Sequence, residues 1–262
     1  LAIPVSISTL PILIYLPAFY AKELGLSVGM VGLVFLLARL WDGFSDPIVG
    51  ALSDRTTSRF GRRKPWIIAG APLLMAATWF LCNPPKDASF VYLGVWAILF
   101  YTAHTIIKIP YWSWGAELSA DYEERSRITG FREGGSMVGN IVVAAAPLLL
   151  LPSDPPVRDV LLLISFLIIT LVPLTAAPLA ITTRDHSPSD RTDFNFIAIF
   201  GALRKNAPLC RYLAALSCNF ISVGMINSVA IFLIDIGLGL PGKFFSLFFI
   251  QYMVAIISVP LL

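Results

Sequence analysis

Long apolar runs recur along this chain, and nothing else limits its fold so strongly. Eight of them are long enough to cross a bilayer as helices. They lie near Ile3–Lys22, Val28–Leu52, Trp66–Cys82, Phe90–Ala116, Met137–Leu151, Val160–Ile181, Leu209–Ile234 and Phe244–Leu262. Charged residues make up only 13% of the 262, against about 25% in an ordinary soluble domain. A chain this apolar has to place most of its helices in lipid, where each helix satisfies its own backbone hydrogen bonds. The expected fold is therefore all-α and polytopic.

The loops sort by charge. Arg55, Arg59, Arg62, Arg63 and Lys64 follow the second run. Arg125, Arg127 and Arg132 follow the fourth, and Arg184, Arg191, Arg204 and Lys205 follow the sixth. The opposite loops carry little more than Lys22, Lys86, Arg158 and Lys243. The positive-inside rule puts the first set, and with it the N-terminus, in the cytoplasm. Residues 1–181 read as a six-helix bundle, 182–208 as a polar cytoplasmic linker, and 209–262 as the first two helices of a second bundle. The chain opens on Leu1 inside an apolar run with no signal-peptide pattern, so a fragment is expected. Cys82, Cys210 and Cys218 show no ligand spacing and read as packing residues.

The second run carries three ionisable side chains, Arg39, Asp42 and Asp46. Facing lipid they would cost about 2.5–3.5 kcal/mol each. Their spacing of three and four puts them on one helix face, beside Ser45. That face is expected to look into protein or a water-filled path, and a carboxylate pair there is a site for a cation. Two plainer roles stand beside this one: an intrahelical salt bridge for Arg39–Asp42, and helix geometry at Pro47 for Asp46. In the fourth run His104, Thr105, Lys108 and Trp112 share or border one face. Lys108 could stand in for a cation near the acids, or point into a cavity and meet an anionic solute such as a uronide. His104 also reads as a packed, hydrogen-bonded residue, and Trp112 and Trp114 as core or interfacial aromatics. Glu117 and the acids after it read mostly as solvated charges, one or two of which meet the basic loop.

GALSDRTTSRFGRRKPW resembles the loop between helices two and three of the major facilitator superfamily. ARLWDGFSDPIVG before it and HTIIKIPYWSWGAEL in the fourth run resemble the glycoside–pentoside–hexuronide:cation symporter branch. The resemblance is carried by about Val28 to Arg132. It implies twelve helices in two bundles, of which eight are present, with alternating access by rocking. It implies that Asp42, Ser45, Asp46 and Thr105 couple transport to H⁺ or Na⁺, with a possible Na⁺ at Asp42 and Asp46. It also implies that Trp112 and Arg132 contact the solute, and that Asp54, Arg55, Arg59, Arg62 and Arg63 form a cytoplasmic latch. Where the branch reads a galactoside with two acids, this chain has Ser6 and Lys108, so a melibiose-type sugar is not the expected solute.

The function expected is a cation-coupled symporter of a glycoside or similar small polar solute in a bacterial inner membrane, acting as a monomer. The alternatives are a lysolipid symporter of the same branch and a non-transporting membrane scaffold. Enzyme chemistry, cofactors and nucleic-acid partners are not expected. The chain has no Gly-rich phosphate loop, no paired metal ligands and no nucleophile elbow, and its basic loops lack interleaved aromatics.

Overall fold

A computed structural model of the chain describes residues 1–119, 121–152, 155–182, 206–239, 246–247, 249–251 and 253–254. These residues contain helices and no strand. The helices are α1 (Ala2–Lys22), α2 (Val28–Arg55), α3 (Lys64–Cys82), α4 (Phe90–Glu117), α5 (Tyr122–Leu150), α6 (Val157–Thr182) and α7 (Ala207–Phe232). A π-helical turn, Leu233–Gly237, continues α7. Helices α2 to α6 are each long and apolar enough to cross a membrane, and Ala207–Val223 of α7 is a shorter apolar stretch. Most of the expected linker at 182–208, and most of the expected eighth span at 244–262, lie outside the described residues.

The chain divides into two compact units, Leu1–Pro188 with Phe245–Leu262, and Ser189–Phe244. Within the first, packing runs from α2 to α4, α3, α6, α1 and α5 in turn. The ring closes lightly, through few contacts of α1 with α2 and of α4 with α5. Its core is fully buried Ile7, Leu16 and Tyr20 of α1, Leu74 and Leu81 of α3, Leu93 of α4, and Leu161, Ile164 and Ile168 of α6. The Tyr20 hydroxyl donates to the Leu81 carbonyl at 3.0 Å, so the buried phenol is satisfied. The opposite pattern marks α2. Leu33, Leu36, Leu37, Leu40, Phe44, Ile48 and Leu52 are all exposed, as suits a helix with one face toward acyl chains.

One boundary differs clearly from the sequence reading. The fifth helix begins at Tyr122, not near Met137. Asp121 accepts from the Glu124 N–H at 2.9 Å and caps it, and Glu123 and Glu124 favour its first turn. Arg125, Arg127 and Arg132 are therefore helical rather than loop residues. Apolar-run counting overlooks a helix whose first half is polar.

Close contact fixes α5 against α1. A Cβ added to Gly139 would lie 2.6 Å from the Ile3 carbonyl oxygen. Two helices are interrupted near one another in the packing order. Pro47 follows Asp46 in α2, and Pro110 lies two residues past Lys108 in α4. Each removes an N–H that would otherwise bond to the carbonyl four residues back.

Candidate functional site

Where the ring is most loosely closed, between α1, α2, α4 and α5, lies a cavity of about 240 Å³. Ser6 and Thr9 of α1, Arg39 and Asp42 of α2, and His104, Lys108 and Trp112 of α4 contribute to its wall. Beside it, Asp42 and Asp46 turn toward α4. Thr105, fully buried, places its hydroxyl oxygen 2.9 Å from Asp42 Oδ1 and 2.8 Å from Asp46 Oδ1. The side chains of the acids keep only 14% and 30% of their surface exposed. Ser45 is buried, but its hydroxyl donates to the Asp42 carbonyl at 3.1 Å and only reaches Thr105 at 3.4 Å.

Each acid has its own cation. Arg39 Nη1 lies 3.8 Å from Asp42 Oδ2, and its guanidinium sits over the Tyr101 ring. Lys108 Nζ lies 3.8 Å from Asp46 Oδ2 and 5.1 Å from the centroid of the Trp112 ring. Arg132 stands 5.2 Å from the same ring and pairs with Glu133 at 3.1 Å. Arg132 thus reaches Trp112 without lining the cavity. His104 packs against Phe100, and its Nε2 is buried without a hydrogen-bond partner among the described residues. Trp114 belongs instead to a buried cluster with Ile67 and Ala176.

At the ends of α2 and α4, Arg63 is 2% exposed and bonds at least three groups. It meets Asp54 at 2.5 Å, Glu117 at 2.7 Å and the Ser53 hydroxyl at 2.7 Å. Arg62 shares Glu117 at 2.7 Å. Arg59 lies over the neighbouring Phe60 ring, and no ion pair involves Arg55 or Arg59 among the described residues. The charged cluster is therefore narrower than expected at one end and extended at the other by Glu117.

The sequence reading passed over Tyr101, Tyr111 and Ser136, which also line the cavity. Tyr101 is four residues before Thr105 and seven before Lys108, a spacing that puts it on the same helix face. Ser136 is one turn after Arg132 and donates to its carbonyl.

Comparison with known proteins places the chain in a family. The family described as MFS/sugar transport protein matches residues 2–262. The chain belongs to that family. Membership makes it a multi-pass membrane protein of a transporter fold. The inner membrane symporter YicJ of Escherichia coli is 31% identical over 140 residues, covering 50% of this chain and 30% of the relative. The raffinose carrier protein of Pediococcus pentosaceus is 28% identical over 254 residues, covering 89% and 39%. The sodium-dependent lysophosphatidylcholine symporter 1 of Mus musculus is 31% identical over 121 residues, covering 43% and 23%. The chain thus spans well under half the length of these relatives. Among its described residues, no three His, Cys, Asp or Glu side chains gather closely enough to hold a metal ion. A cation here would rest on two carboxylates and the hydroxyls beside them.

Proposed function

We propose that this chain serves a secondary symporter that carries a glycoside or similar small polar solute together with a cation by alternating access. One observation carries the reading: a half-buried acid pair joined by the Thr105 hydroxyl adjoins a cavity whose wall includes Arg39, Asp42, His104 and Lys108. Ionisable groups at this depth in a membrane bundle are costly unless they serve a pathway or a partner. Asp42 and Asp46, with Thr105 and Ser45 beside them, take the coupling cation, H⁺ or Na⁺. The solute lies against Trp112, whose ring is flanked by Lys108 and Arg132, with Ser6 and His104 across the cavity wall. Asp54, Arg62, Arg63 and Glu117 brace the cytoplasmic ends of α2, α3 and α4. In this reading the N-terminus is cytoplasmic, the membrane is a bacterial inner membrane, the protein works as a monomer, and it catalyses no covalent chemistry.

A second reading, transport of a lysolipid, is favoured by the similarity to the lysophosphatidylcholine symporter. Uptake into proteoliposomes holding the full-length protein separates the two, with labelled glycosides, uronides and lysolipids offered under imposed cation gradients. Gradient-stimulated uptake of a sugar or uronide, lost in Asp42→Asn and Asp46→Asn, is the expected result. Uptake that never exceeds empty vesicles for any solute would leave the scaffold role instead.

A further inference from the structure

Two acids, two cations and one hydroxyl hydrogen meet between α2 and α4. Asp42 faces Arg39 and Asp46 faces Lys108, each at 3.8 Å. The formal charge of the four groups is zero before any ion arrives. Their oxygens are already engaged with one another through Thr105 at 2.8 and 2.9 Å. Threonine has a single hydroxyl hydrogen, which satisfies only one of these two contacts. The other is an oxygen–oxygen approach of hydrogen-bond length, so the acid oxygens are already crowded before any ion enters. The surrounding elements bring little more charge. Tyr101, His104 and Tyr111 of α4 line the cavity, Arg132 and Glu133 of α5 pair with each other, and α1 offers the wall only Ser6 and Thr9 as polar groups.

We propose that Lys108 is a tethered cation occupying the charge position that Na⁺ would take at the acid pair, so that the site excludes alkali ions. The inference rests on the coupling role proposed for Asp42 and Asp46. An ammonium is a compact point charge on a flexible stem, and it cannot diffuse away. A sodium ion entering beside Asp46 would have to displace it or share its carboxylate with it. The same ammonium lies beside Asp46 and over Trp112, against which the solute is proposed to lie. Lys108 thereby connects the state of the acid pair to the solute platform.

The test uses the full-length protein in detergent with sodium chloride and lithium chloride alone as probes, and choline chloride to hold ionic strength constant. The readouts are the thermal unfolding midpoint and equilibrium binding of radioactive sodium. Wild type and Lys108→Arg are expected to show no saturable sodium binding and no midpoint change relative to choline. Lys108→Ala and Lys108→Gln, relieved of a positive charge about 4 Å from the acid, are expected to gain sodium affinity by at least about tenfold. Adding Asp46→Asn to Lys108→Ala should remove the gain. Saturable sodium binding by wild type overturns the proposal, and so does the absence of any gain in both neutral variants while they unfold cooperatively. Should neither neutral variant fold, wild type and Lys108→Arg decide alone. Sodium binding by wild type would leave the coupling role of the acids standing, whereas failure of that role would appear as uptake indifferent to Asp46→Asn.

Discussion

Replacing Arg63 by glutamine removes a buried charge on which three helix ends converge. Its guanidinium reaches Asp54 and Ser53 at the end of α2 and Glu117 at the end of α4, from the start of α3. Breaking a buried pair by removing one partner costs about 3–5 kcal/mol. Two facts lower that figure here. The Asp54 side chain is 54% exposed and regains water at little cost, and Glu117 keeps Arg62 at 2.7 Å. A loss of about 2–3 kcal/mol follows for Arg63→Gln. Glu117→Gln takes a carboxylate from both Arg62 and Arg63 and should cost a similar amount. The two changes share one contact, so the double variant should lose less than the sum, by about 1 kcal/mol or more. Thermal unfolding of the full-length protein and its three variants measures this. Single losses that add to within about 0.5 kcal/mol would refute the claim that the two side chains act together.

Three further outcomes follow from the same geometry. Gly139→Ala should lower the unfolding midpoint by an amount equivalent to about 1–3 kcal/mol, because the new Cβ meets the Ile3 carbonyl at 2.6 Å and the α1 backbone must move. A midpoint equal to wild type would show that the two helices are not so closely set. Thr105→Val deletes the hydroxyl that joins the acids and keeps the shape. Cation-driven uptake should fall at least about tenfold while solute exchange without a gradient survives, and Thr105→Ser should retain coupling. Trp112→Ala should weaken solute binding more than Trp112→Phe, measured as the half-saturating concentration for exchange; equal effects would deny the ring a stacking role.

Much of this arrangement was legible in the residues because a bilayer makes misplaced charge costly. Arg39, Asp42 and Asp46 had to face inward, and the spacing of Thr105, Lys108 and Trp112 gave them a matching face on α4. The Arg39–Asp42 salt bridge lies within one helix and could be read from its spacing, but spacing does not say which acid meets a cation across a gap, so the Lys108–Asp46 pair needed coordinates. Ser45 shows the same limit. Its position beside the acids was clear, but its hydroxyl bonds to backbone, an option open to any helical serine. The polar first half of α5 was missed because hydropathy reports burial in lipid, whereas its cap at Asp121 reports helix directly. Glu117 was left among the solvated acids because nothing in sequence separates it from Asp121 or Glu123. Only the packing of α4 against α2 and α3 brings it to the arginines.

The prolines in α2 and α4 have a mechanical consequence. Both rods that hold the acid pair are notched at nearly the level of the pair itself, one just beyond Asp46 and the other just beyond Lys108. A notch turns the rest of the rod into a lever. A bend of roughly 10° at Pro47 would swing Asp54, about 10 Å farther along α2, sideways by about 2 Å. That swing is comparable to the whole length of its contact with Arg63. A change in charge at the acids and the grip between the helix ends are thus two ends of one short arm.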